Sequence, residues 1–136
     1  MKENFYVFPV GIIKKQDEKI WIEIYEKYHG ALLGLYEFSH ITVCYWFHEN
    51  DTPEKRKVLK IHPRRNKKNP LTGVFATHSP LRPNLIAISI CKILSIQGNI
   101  IHIDKIDAFD GSPVIDIKCF IPSRALKQDI RLPDWV

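Results

Sequence analysis

The chain has 136 residues, 45% of them apolar, and a net charge of +5; that length suits one domain spanning residues 1–136 with its own core and excludes a second large one. No apolar run reaches the length of a membrane span, and Pro9 and Gly11 break up the apolar residues of the N-terminus, so neither a transmembrane helix nor a signal peptide is expected. Three dispersed cysteines, Cys44, Cys91 and Cys119, form no CxxC pair and read as reduced core residues of a cytoplasmic protein rather than as a zinc site.

Taken in chain order, an apolar run over residues 5–13 reads as a first strand. Ile20, Ile22 and Ile24 then alternate with Trp21, Glu23 and Tyr25, the period of a half-buried strand. Residues 28–38 place Leu32, Leu35 and Tyr36 beside Gly30 and Gly34, which supports a short helix or an irregular crossover at most. The strongest alternation follows, with Ile41, Val43, Tyr45 and Phe47 on one face and Thr42, Cys44, Trp46 and His48 on the other. Residues 50–54 read as a polar turn. Further runs at 58–61, 73–77, 86–96, 100–106 and 114–120 bring the count to roughly eight strands, the spacing of an all-β barrel or sandwich. Gly98-Asn99 marks a tight hairpin and Asp110-Gly111 a second turn. The tail from Ser123 ends in Leu132, Pro133, Trp135 and Val136, residues that would dock on the barrel or on a second subunit.

Charge is unevenly spread. Eight of the twenty basic residues, Lys55, Arg56, Lys57, Lys60, Arg64, Arg65, Lys67 and Lys68, fall in one acid-free window, and the remainder, with 12 basic against 15 acidic residues, carries a net −3. Such a window points to an acidic partner, RNA phosphate above all, or to a solvated loop that aids solubility.

No GxGxxG follows a strand, and no Walker loop, GxSxG or HExxH is present, which removes the support for a Rossmann-type enzyme, a P-loop enzyme, a serine hydrolase and a zinc protease. Three segments remain. Residues 73–84 hold Thr77, His78, Ser79, Arg82 and Asn84 between prolines that fix the path, which suits a recognition loop; the plainer alternative is a strand connection whose Arg82 and Asn84 satisfy loop carbonyls. Residues 106–118 interrupt apolar runs with Asp107, Asp110 and Asp116: Asp110 suits a turn, and the other two need partners such as Arg82, Lys118 or backbone donors. A strand ending in His48, Glu49 and Asn50 could line a site mouth, with Tyr45 and Trp46 either stacking on an adenine or filling the core.

Together these segments resemble the TrmO (TsaA-like) family, whose members carry FSH and WFHEN on one strand, then HPRG, then GVFATRSPxRPNPIGLS, then GIDALDGTPVLDIKPYIP. The counterparts are residues 38–50, His62-Pro63-Arg64, residues 73–89 and residues 105–122. The resemblance implies a β-barrel that binds S-adenosylmethionine (SAM) as a homodimer, with sites near the subunit interface, and methylates N(6) of threonylcarbamoyladenosine beside the tRNA anticodon. Carried over by position, the cofactor contacts fall on His48, Glu49, His78, Ile88, Asp104, Lys105, Ile106 and Asp107. Glu49 and Asp107, with His48, are the candidates to assist deprotonation of a weakly nucleophilic nitrogen. Arg64, Arg65, Lys67, Lys68, Arg82 and Asn84 would hold the RNA. No metal is implied.

The chain departs from the pattern at His78, where the family has arginine, at Leu85 for proline, at Ala87 for glycine and at Arg65 for the glycine of HPRG. It has no QPG-type turn between Ile13 and Lys19 and no counterpart of the longer members' extra C-terminal domain. A methyl at Ala87 is expected to narrow the pocket. Two further readings stand beside the methyltransferase: an RNA-binding barrel without catalysis, and a methyltransferase of the same family with another substrate.

Overall fold

The computed structural model describes residues 3–124 and 129–136. Six strands close into an antiparallel barrel in the order β1 (Gly11–Gln16), β2 (Lys19–Ile24), β7 (Ile100–Ile103), β6 (Ile86–Gln97), β3 (His40–Trp46) and β8 (Pro113–Cys119). A separate two-stranded hairpin pairs β4 (Lys60–Ile61) with β5 (Thr72–Gly73), and one helical turn, α1 (Pro53–Arg56), precedes it. Alternation explains the barrel directly: Ile13, Ile22, Ile41, Val43, Cys91, Ile101 and Val114 all point inward and are fully buried. Burying an isoleucine is worth about 1.5–3 kcal/mol, so this set dominates the stability of the fold.

Closure needs Gly11. A Cβ there would run into the Glu23 carbonyl oxygen across the β1–β2 pair. At the β6–β7 turn Gly98 takes a left-handed conformation, φ 62°, as its place in a two-residue hairpin requires.

Several sequence expectations shift. The run over residues 5–13 is not a strand: β1 starts at Gly11 and continues through Lys14, Lys15 and Gln16, while Phe5, Tyr6, Val7 and Phe8 stay exposed. Pro9 supplies no N–H, and pairing begins only with Val10, whose N–H donates to Val114 O at 2.7 Å. The run over 73–77 turns into a 3-10 helix at Val74–Ala76, because the Thr77 N–H and hydroxyl both fold back on Val74 O, at 3.1 and 2.8 Å. Of residues 58–61 only Lys60–Ile61 pairs. The run over 100–106 ends at Ile103, where the Asp104 carboxylate takes over the backbone N–H groups of Lys92 and Lys105.

Residues 28–38 lie in two 3-10 stretches, Glu26–Leu32 and Leu35–Glu37, joined through Gly34 at φ 84°. The polar turn after β3 is more ordered than its composition implies. A 3-10 turn at His48–Asn50 leads to α1, capped by the Thr52 hydroxyl on Lys55 N at 3.2 Å with Pro53 in the first position. In the tail, residues 125–128 lie outside the described residues; Leu132 and Val136 are exposed rather than docked on the barrel, and Trp135 is half-buried.

Candidate functional site

Register places the end of β3 beside the starts of β6 and β8, with Tyr45 opposite both Ala87 and Val114. The His48–Asn50 turn therefore sits at the same pole as the loop that enters β6, and the Phe47 N–H donates to Leu85 O at 2.9 Å. Arg56 locks the two together. Its Nε donates to Pro83 O at 2.8 Å, its Nη1 to Asp51 Oδ1 at 3.2 Å, and its Nη2 reaches Asn84 Oδ1 at 3.5 Å. The guanidinium lies 5.7 Å from the Trp46 ring centre, and the Trp46 indole donates to Asp51 Oδ2 at 3.0 Å. Counted by sequence in the basic window, Arg56 is thus a half-buried brace that makes three hydrogen bonds to the protein.

Arg82 takes the plainer of its two readings. Its Nη1 donates to the carbonyls of Thr77 and Ser79, at 3.2 and 3.0 Å, and stiffens the loop in which it sits. It pairs with neither Asp107 nor Asp116; Asp116 instead lies 3.7 Å from Lys118, both exposed. The His78 ring is exposed on that loop and makes no hydrogen bond among the described residues.

On the other side of β6 the strand edge is open. Odd-numbered residues turn their backbone groups to β3, as Leu85 O and Ile93 N show by bonding Phe47 N and Ser39 O. Even-numbered ones turn away, and Lys92 exchanges bonds with Asp104: its N–H donates to Asp104 Oδ1 at 2.9 Å and its carbonyl accepts from Asp104 N at 3.2 Å. Since β7 covers β6 only from Ile93 onward, the N–H and C=O groups of Ile88 and Ile90 have no partner among the described residues. Asp104, Lys105, Ile106 and Asp107 run from this side toward the pole, where Lys15 Nζ donates to Ile106 O and Lys15 N to Asp110 Oδ1, both at 2.8 Å. As its turn position implies, Asp110 is structural.

Titration follows the geometry. For Asp104, partial burial opposes ionisation, but the N–H groups of Lys92, Lys105 and Asp104 itself outweigh it and hold the carboxyl below the ordinary range. Burial, then the Asp104 carboxylate, push the Cys91 thiol up to about 11. Burial raises the Tyr45 phenol, a hydrogen bond with Ser89 opposes the rise, and the neighbouring Asp107 carboxylate adds to it.

Ile88 thus lies on the stretch of β6 that β7 leaves uncovered, Asp104 bonds Lys92 where that stretch begins, and His48, Glu49 and Asn84 lie beyond the end of β3. His78 is carried by the Thr77–Arg82 loop that leads into β6. Ala87 does not narrow a pocket, because alternation turns its methyl into the barrel core; Leu85 is also fully buried. Among the described residues no group of three or more His, Cys, Asp or Glu is placed to hold a metal. A cavity of about 480 Å³, lined by Val10, Ile24, Tyr28, Leu32, Phe38 and Ile117 among others, lies beneath the 26–37 crossover.

The β4–β5 hairpin carries the remaining cations. Pro63 is buried at its base, His62 Nδ1 bonds Asn69 O at 2.9 Å, and Asn69 Nδ2 donates to Pro63 O at 2.9 Å. Between these clamps Arg64 and Arg65 both adopt left-handed conformations, φ 57° and 55°, a strained pair for residues with side chains. Arg64, Arg65, Lys67 and Lys68 are exposed and bridge to no carboxylate among the described residues.

Fold and site define a small closed β-barrel protein whose polar chemistry is carried by loops at one pole and by one open strand edge. The chain belongs to the TrmO family: residues 7–124 match the tRNA-methyltransferase O N-terminal domain, as the motif resemblance implies. It is 50% identical over 118 residues to a probable S-adenosyl-L-methionine-binding protein of Pyrococcus horikoshii, covering 87% of this chain and 84% of that one. Against the human tRNA (adenine(37)-N6)-methyltransferase it is 37% identical over 111 residues, which are 81% of this chain but 24% of the human protein. A crystal structure of TrmO from P. aeruginosa shares the fold with a TM-score of 0.73 at 24% identity, covering 99% of this chain and 63% of that one.

Proposed function

We propose that this chain binds SAM and methylates tRNA, at N(6) of threonylcarbamoyladenosine beside the anticodon. The observation that carries the reading is the open edge of β6: the family's contact positions, Ile88 and residues 104–107, fall on the two sides of one gap lined by unpaired backbone donors and acceptors. Those groups fit an adenine edge and ribose hydroxyls, and the Asp104 and Asp107 carboxylates fit further hydroxyls or an ammonium. Bound there, SAM would supply an electrophilic methyl group, so the protein's task is alignment more than strong acid–base work. Asp107, next to Tyr45, and Glu49 and His48, beyond the end of β3, are the groups that could accept the proton lost by the nucleophilic nitrogen. The exposed cations of the β4–β5 hairpin would bind anticodon-arm phosphates.

A homodimer is part of the same reading. Ile86, Ile88, Ile90 and Leu94 form an exposed apolar row along the outer face of β6, which a second copy would cover. Three free cysteines are compatible with a reducing, cytoplasmic setting. A second reading, a family methyltransferase with a different substrate, is favoured by one observation: His78 stands exposed where the pattern has arginine, which changes the charge and reach of that loop.

Calorimetry with SAM and the purified protein tests binding; absence of heat and of any thermal shift at millimolar SAM would sink the methyltransferase reading. Transfer of labelled methyl to tRNA with and without the threonylcarbamoyl group then separates the two substrates. Sedimentation at micromolar concentration decides the dimer.

A further inference from the structure

The segment 73–77 contains a phenylalanine that the core does not use. Phe75 is 85% exposed, yet its backbone is tightly held. Val74 before it is buried and donates to Leu59 O at 2.9 Å, and Thr77 after it closes on Val74 O through both its N–H and its hydroxyl. An aromatic ring kept in water on a rigid turn loses the gain of burial, and it offers a flat face without first having to be ordered. Leu59 and Leu71, also exposed, flank the ends of the hairpin from which this turn departs.

What would meet that ring follows from the charge of the hairpin that leads into it. From Lys55 through Ile103 the sequence holds no Asp or Glu, and Lys60, Arg64, Arg65, Lys67 and Lys68 all belong to the hairpin that leads into the Phe75 turn. Lysine is depleted at the centres of protein–protein contacts, whereas cations beside an exposed aromatic are the pattern of single-stranded nucleic-acid binding, phosphate to cation and base to ring.

We propose that Phe75 is a stacking platform for an unpaired RNA base, with the 60–73 hairpin supplying the phosphate contacts. This rests on the tRNA reading above and adds to it a residue with a defined role in substrate binding.

The test is binding of tRNA and of an anticodon stem-loop to wild type and to Phe75→Ala, Phe75→Leu and Phe75→Trp, at several salt concentrations, with SAM binding and sedimentation on the same samples. Alanine and leucine are expected to weaken RNA binding on the order of tenfold, and tryptophan to preserve it, because the lost term is a π-face and not apolar area. The slope of affinity against salt should stay unchanged in these variants, whereas Arg64→Ala with Arg65→Ala should flatten it by up to about two. SAM affinity should not move. RNA binding by Phe75→Ala or Phe75→Leu equal to wild type overturns the platform, as does a dimer that dissociates in Phe75→Ala while each protomer still binds RNA normally. If wild type binds SAM but no RNA, the platform and the tRNA substrate fall together; if it methylates tRNA and Phe75→Ala does so equally well, only the platform falls.

Discussion

Arg56 donates from Nε to the carbonyl of Pro83 at 2.8 Å, bridging 27 residues of sequence to fasten the turn after β3 to the loop before β6. The contact depends on the fork of a guanidinium, since the same side chain also holds Asp51 and covers Trp46. Arg56→Ala should cost about 1–2 kcal/mol, read as a fall of several degrees in melting temperature. Arg56→Lys should recover little of it, because one ammonium cannot serve carbonyl and carboxylate in that geometry. A lysine variant as stable as wild type in thermal melts would show the brace to be dispensable.

His78 is a candidate cofactor contact whose residue type departs from the family pattern and whose side chain is exposed. His78→Arg should tighten SAM binding, on the order of several-fold for a gained charge-assisted hydrogen bond. Calorimetry reads this directly, and an unchanged affinity would place position 78 outside the cofactor site.

The Asp104 carboxylate ends β7 and is held below its ordinary pKa of 3.8 by backbone donors that outweigh partial burial. A depressed folded value means that the stabilisation is present above the unfolded pKa and disappears as pH falls through the folded one. The stability gap between wild type and Asp104→Asn should therefore be constant from pH 5 to 7 and close below about pH 4. Denaturant midpoints across that range check the sign; a gap that widens in acid would contradict it.

Cys91 lies fully inside the barrel with its thiol raised to about 11, burial being the larger cause and Asp104 the second. A thiol reagent at pH 8 should label Cys91 only as fast as the protein unfolds. Cys44 and Cys119 are part-exposed and should react in the native state, Cys44 more slowly than its exposure alone would give because burial and Asp116 raise its thiol. Mass spectrometry of the timed reaction distinguishes the three.

Strand content, the Gly98-Asn99 hairpin and the family were legible along the chain, because period-two alternation of Ile and Val is a local property and the motifs are contiguous strings. The uses to which polar residues are put were not. Arg56 looked like one more cation of a basic window until folding brought Asp51, Trp46 and Pro83 to it. Ala87 looked like a pocket residue until register turned its methyl inward against Tyr45. The open edge at Ile88 is likewise a tertiary fact. It exists because β6 is 12 residues long and its neighbour β7 only 4, so the ladder ends at Ile93 and Asp104 caps the gap. Alternation, written in the sequence, determined which side chains face the core. Which backbone groups were left without a partner was decided only when strands of unequal length closed into a barrel.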